Sequence, residues 1–162
     1  MPRFTGVDHV VLTVTDLDVS TRFYDEVMGL LPLLDFGYAR LLMERRTGFT
    51  IALATHEGAL GGRFTELTTG LDHVGFGVGS LEELQEWEEH LKEHGVEHTP
   101  IRDMGLAHHL NFRDPDNIAL EITVSSEAYA VAIQMLRDNE MSDDEIRGYA
   151  AQLMGPETVI RP

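Results

Sequence analysis

A histidine stands at the third letter of a phrase that the chain writes twice. VDHVVLTVTDL at residues 7–17 and LDHVGFGVGSL at 71–81 agree at five of eleven positions: Asp8/Asp72, His9/His73, Val10/Val74, Val14/Val78 and Leu17/Leu81. His73 therefore follows His9 by 64 residues, which marks an internal repeat. A carboxylate belongs with the two histidines. TIAL at 50–53 aligns with ALEI at 119–122 at an offset of 69, so Glu121 falls where the first copy has Ala52. Imidazole nitrogen and carboxylate oxygen are donors that hold first-row divalent cations. One histidine on a strand is ordinarily a hydrogen-bonded core residue, but two at repeat-equivalent places, with a carboxylate at a third, point to a metal site.

The elements that must carry these residues follow from parity and punctuation. Along 8–14, His9, Val11 and Thr13 fall on one face and Val10, Leu12 and Val14 on the other, as alternate side chains of a strand do. Along 119–124, Ala119, Glu121 and Thr123 share the polar face, with Leu120, Ile122 and Val124 behind them. The segment TDLDVSTRFYDEVMGL opens on acidic capping residues Asp16 and Asp18, sets Val19, Phe23 and Val27 on one side and stops at Gly29, which predicts a helix. Three short strands follow in LLDF, ARLLME and FTIALAT, divided by Gly37 and by RRTG.

The second copy repeats this order. A strand over 72–78 leads into SLEELQEWEEHLKEHG, where Ser80 and Glu83 form a capping box, Leu84, Trp87 and Leu91 face inward and Gly95 supplies the stop. Strands are expected near 96–101, 107–112 and 118–124, the last two joined by a DPDN turn in which Asn117 tolerates a left-handed conformation. Each copy therefore reads βαβββ. The expected fold class is α+β, with modules at residues 5–66 and 67–124 and a helical C-terminal extension at 125–162. The extension shows two apolar stripes, Ala128, Val131, Ala132, Met135 and Leu136, then Ile146, Tyr149, Ala150, Leu153 and Met154, with a cap at Ser142 and Glu145. It reads as a packing element over a sheet edge or a partner subunit, with a lid over a pocket as the alternative.

Composition narrows the function classes. The 162 residues carry 12 Lys plus Arg against 28 Asp plus Glu, a net charge of −16, which repels phosphate backbones and anionic membranes. No nucleic acid or membrane partner is expected, while small molecules and cations remain. The absence of cysteine excludes thiolate metal sites, disulfides and cysteine nucleophiles. With no leader-like basic and apolar start, and no run of about 18 apolar residues, the expectation is a cytoplasmic protein.

Taken together, DHVVLTVTDLDVSTRFYDEVMGL, GLDHVGFGV and NFRDPDNIALEI, which span most of residues 5–124, resemble the vicinal oxygen chelate superfamily of glyoxalase, bleomycin-resistance and extradiol-dioxygenase proteins. The resemblance implies a cup-shaped mixed sheet whose metal ligands come from the first and last strands of each module, here His9, Ala52, His73 and Glu121. Glyoxalases and methylmalonyl-CoA epimerases carry Glu or Gln at the second of these positions, and Ala52 cannot coordinate. That leaves His9, His73 and Glu121, a two-histidine, one-carboxylate set that suits Fe(II) or Mn(II), with Ni(II) and Zn(II) also compatible. Extradiol dioxygenases and fosfomycin-modifying thiol transferases resemble this set. Both place a tyrosine ten residues before the final Glu, where this chain has Asn111, and the extradiol acid–base histidine has only Phe49 or its neighbours as a counterpart.

His109 and Asn111 share a strand face by parity and are the candidate catalytic residues, as acid–base and hydrogen-bond donor. His90 and His94, set among Glu88, Glu89, Lys92 and Glu93, read instead as a solvated helix face. The expectation is a homodimeric, divalent-metal-dependent enzyme acting on a small substrate with neighbouring oxygens, leaning to dioxygenase-type chemistry. The alternatives are sequestration of an antibiotic or other aromatic molecule and a glyoxalase-type lyase or isomerase.

Overall fold

The structure is a computed structural model and describes residues 6–160; the expected module start at residue 5 and the last two residues of the extension lie outside the described residues. The first module runs β1 (His9–Thr13), α1 (Leu17–Arg22), which continues as a π turn over Phe23–Val27, then β2 (Leu31–Asp35), β3 (Ala39–Met43) and β4 (Thr50–Ala54). The second runs β5 (Val74–Gly77), α2 (Leu81–Glu93), β6 (Arg102–Asp103), β7 (Ala107–Arg113) and β8 (Ala119–Ser125), before α3 (Glu127–Asp138) and α4 (Asp143–Met154).

Each module builds one four-stranded sheet, ordered β1-β4-β3-β2 and β5-β8-β7-β6. In each, the first strand pairs parallel with the last and the other pairs are antiparallel. The parallel pair is what a crossover helix permits, and it seats the repeated His-bearing phrase beside the strand that carries Ala52 or Glu121. The parity expected for the strands holds: Leu12, Ile51, Leu53, Leu110, Phe112, Leu120 and Ile122 are buried. They meet Tyr24, Val27, Leu84 and Leu91 from the helices in one core cluster. A fully buried leucine such as Leu84 or Leu91 contributes about 1.5–3 kcal/mol.

Three local expectations need correction. Asp16 alone caps α1, accepting from the Asp18 and Val19 backbone N–H groups, whereas the Asp18 carboxylate pairs with Arg40 at 2.7 Å. Val19 is exposed, and the inward face of this helix is Ser20, Tyr24, Val27 and Met28, an i, i+4, i+7, i+8 stripe on which Val27 falls as expected, with Phe23 packed partly against the core. The strand expected over 96–101 is reduced to a single bridge between His98 and Phe112 and the two-residue β6, since Pro100 has no N–H to give a ladder. Trp87 packs against the core cluster while only partly buried.

The two modules are keyed together by the β7–β8 turn. Asn117 takes φ 67° there, and the turn inserts two carboxylates into the first module. Tyr24 donates to Asp114 at 3.0 Å, and Asp116 accepts from the Thr15 backbone at 3.1 Å, the Thr15 hydroxyl at 2.5 Å and Ser20 at 3.4 Å. Burial pushes Asp114 up to about 6, against the opposing pull of its hydrogen bonds from Ile118 N–H and Tyr24. Tyr24 is held protonated, first by burial and then by the Asp114 charge. Arg113 adds a two-armed pair with Glu66, and this pairing draws that carboxylate down to about 2.

The extension forms two helices, with the Ser142–Glu145 capping box in place, but neither helix buries a residue and each packs mainly on the other. Val131, Ile146, Tyr149 and Met154 stand exposed. No helix among the described residues is long and apolar enough to cross a membrane.

Candidate metal centre

The second sheet lays out the site as rows of opposed residues. Gly75 lies beside Glu121, and Glu121 beside Asn111; one row further on, Gly77, Thr123, His109 and Arg102 stand in line. The same row of the first sheet reads Val11, Ala52, Leu41. Ala52 and Glu121 thus occupy the same place in their ladders, and the first module offers only apolar groups where the second offers a carboxylate and an amide.

His73 just precedes β5 and shares the face of Gly75 and Gly77. Its Nε2 lies 4.0 Å from Glu121 Oε1. Two donors each about 2.1 Å from a shared cation are separated by roughly 3.0–4.2 Å as their angle opens from right to straight. The gap therefore suits two ligands flanking one ion, and both donor types fit a divalent metal. Glu121 is buried while its neighbours leave room in front of it: a Cβ on Gly75 would meet Oε1 at 3.6 Å, and one on Gly77 would meet open space. The second oxygen of Glu121 is engaged by His109 Nδ1 at 2.5 Å. A carboxylate accepts only, so the proton is on Nδ1 and Nε2 of a neutral His109 is left as a base. Asn111 is placed by Thr99, whose hydroxyl accepts from the Asn111 backbone N–H at 3.1 Å.

His9 is not brought to this group. It stands on the other sheet, opposite Thr50 at the start of β1, with its side chain half exposed. Among the described residues no three His, Cys, Asp or Glu side chains gather as a metal-holding cluster. In the single chain Glu121 makes separate pairwise contacts with His73 and His109 and lies opposite Asn111 in the ladder, while His9 stands apart. His94 is exposed, as expected of a solvated helix face, whereas His90 is partly buried: its Nε2 donates to the Val27 carbonyl at 2.8 Å, and its ring lies edge-on to Trp87. His56 lines a separate cleft of about 570 Å³ with Thr13, Thr55 and Arg63.

Two features of the site escape a reading of residue types. The Thr123 hydroxyl, between Gly77 and His109, is buried with no hydrogen-bond partner among the described residues, the condition of a group awaiting water or ligand. Arg102 shares the face of His109 across an antiparallel pair, a place visible only once the register of the short β6 is known.

Comparison with known proteins bears on the two modules. The family described as Glyoxalase/Bleomycin resistance protein/Dioxygenase superfamily matches residues 6–122. A glyoxylase/bleomycin resistance protein/dioxygenase domain from Frankia sp. EAN1pec is 36% identical over 76% of this chain and 100% of its own, with a TM-score of 0.70. A mutant of the genomically encoded fosfomycin resistance protein FosX from Listeria monocytogenes, complexed with Mn(II) and 1S,2S-dihydroxypropylphosphonic acid, is 25% identical over 80% of this chain and 97% of its own, with a TM-score of 0.61. The FosX of Mesorhizobium loti shares the fold at 16% identity, covering 80% of this chain and 99% of its own, with a TM-score of 0.59. The repeated βαβββ modules, the paired sheets and the match over residues 6–122 place the chain in the Glyoxalase/Bleomycin resistance protein/Dioxygenase superfamily.

Proposed function

We propose that the protein is a divalent-metal-dependent enzyme acting on a small substrate with neighbouring oxygens, its metal held by His73, Glu121 and the His9 of a second copy of the chain. The observation that carries this reading is the facing pair of His73 Nε2 and Glu121 Oε1, 4.0 Å apart, above a floor of glycines. A bound divalent ion supplies a Lewis acid for charge developing on substrate oxygen.

The chain's own residues do the rest. His109, steadied by Glu121 through Nδ1, offers Nε2 to take or return a proton. Asn111 presents its amide beside the carboxylate, Thr123 offers an unspent hydroxyl, and Arg102 places a cation across from His109 for an acidic substituent on the substrate. Gly75 and Gly77 keep the space in front open.

The second copy is argued from surface. A compact monomer of 18.1 kDa exposes about 8,100 Å², whereas this chain exposes 11326 Å². The excess of about 3,000 Å² per chain, about 6,000 Å² for a pair, is more than enough for an obligate dimer interface of roughly 2,000–5,000 Å² in total, even with the loosely packed extension helices accounting for part of it. It includes Val11 at 52% exposure beside His9 on β1, and Val131 at 54% on α3.

Mn(II) with a diol phosphonate in the FosX relative supports Lewis-acid chemistry without a redox change. The two-histidine, one-carboxylate set supports a second reading, Fe(II)-dependent dioxygenase chemistry. Metal analysis of protein prepared without chelator tests the shared claim: about one Mn(II) or Fe(II) per chain is expected, falling to none in His73→Ala and Glu121→Ala. Oxygen uptake with catechols under Fe(II) then separates the two chemistries. Tight uptake of an aromatic ligand without any metal would replace both with sequestration.

A further inference from the structure

Both repeat histidines are held in the same way by the residue before them. His9 Nδ1 lies 2.7 Å from Asp8 Oδ1, and His73 Nδ1 lies 2.6 Å from Asp72 Oδ1. We infer that Asp8 and Asp72 are positioning residues that lock the two imidazoles as the Nδ1–H tautomer and present Nε2, lone pair outward, as the metal-binding nitrogen. The inference rests on the metal reading for its purpose, but the tautomer it asserts belongs to the metal-free chain.

The physical argument has three parts. A carboxylate oxygen has no proton to give, so a contact of this length to Nδ1 requires the hydrogen on the ring; a neutral ring protonated there is unprotonated at Nε2. Next, the contacts add little to stability. The Asp8 and Asp72 side chains are 95% and 73% exposed and the histidines 53% and 45%, and pairs so exposed to solvent are screened and add little to folding. Lastly, the doublet occurs at two repeat-equivalent places on different sheets with one geometry, and at His73 the free Nε2 is the nitrogen that faces Glu121. A carboxylate on the far nitrogen of a ligating imidazole fixes its orientation and raises its basicity, and loss of such a partner typically lowers metal affinity about 10–100-fold.

The test uses the full-length protein. Long-range proton–nitrogen NMR correlations on metal-free protein, at a pH where the rings are neutral, should show His9 and His73 as Nδ1–H. Asp8→Ala should convert His9, and Asp72→Ala should convert His73, toward the Nε2–H form that free histidine prefers. Mn(II) titration followed by electron paramagnetic resonance should then show affinity about 10–100-fold weaker in Asp72→Ala, with recovery in Asp72→Asn, whose amide oxygen accepts the same hydrogen bond. Unchanged tautomers in the alanine variants, or unchanged Mn(II) affinity in Asp72→Ala, would overturn the inference. Wild-type protein that shows the Nδ1–H tautomers and their loss in the variants, yet takes up no metal, would sink the metal reading and leave the orienting pairs standing.

Discussion

Replacing Asp114 by asparagine should stabilise the protein at neutral pH, although it removes three hydrogen bonds to a charged group. Asp114 is 6% exposed at the junction of the modules, where it accepts from the Tyr24 hydroxyl and from the Asp116 and Ile118 backbone N–H groups. Burial outweighs those donors and raises the carboxyl from 3.8 to about 6. At about 1.4 kcal/mol per unit, the charged form is disfavoured by about 3 kcal/mol relative to the unfolded chain. The sign follows from proton counting. Between pH 4 and 6 the folded state binds the proton more tightly than the unfolded state, so this residue's contribution falls as pH rises through that window and stays low above it.

Asparagine reproduces the neutral form: its oxygen serves the two backbone donors, and the Tyr24 hydroxyl turns to accept from its amide. Urea unfolding at pH 4, 5, 6 and 7.5 should therefore show the variant gaining on wild type by about 2–3 kcal/mol across the window, with little difference at pH 4. A constant difference at every pH, or a variant less stable at pH 7.5, would refute the assignment of burial as the dominant influence on Asp114.

Other outcomes follow from the site and the extension. His109→Ala should keep stoichiometric metal yet lose turnover by about 10²–10⁴-fold, whereas Glu121→Ala should lose metal; equal metal loss in both would make His109 a ligand. Gly75→Val, at a position where a Cβ already meets Glu121 at 3.6 Å, should leave the circular dichroism spectrum unchanged and weaken substrate binding. Removing residues 126–162, whose helices bury nothing within the chain, should leave the body folded but weaken self-association by at least about tenfold in sedimentation. An unchanged association constant would assign those helices another role.

Much of this architecture is legible from particular letters. Parity around His9 and Glu121 separates the site face from the core face because a strand has period two, and the repeat then predicts that Ala52 and Glu121 are equivalent, as the two ladders show. The inward face of the first helix was not legible. Val19, Phe23 and Val27 make an apolar stripe, and only the partners of Ser20 and Tyr24, which arrive from Asp116 and Asp114 some 90 or more residues away, favour the face that carries those two polar residues. Pro100 was a visible warning against the strand over 96–101. The separation of His9 from His73 and Glu121 was not legible either, because the repeat matches residues by position without fixing how far apart the two sheets hold them.

The central claim, that His73 and Glu121 of one chain share a metal with His9 of another, is tested most directly by complementation. Differently tagged His9→Ala and Glu121→Ala chains, neither of which binds metal alone, would be refolded together and the mixed dimer isolated. One site of that dimer then has all three ligands intact and the other has lost two. The account predicts about one tightly bound divalent ion per mixed dimer. A mixed dimer that binds none, beside a wild-type protein that binds one per chain, would show that all three ligands come from the same chain and would contradict it.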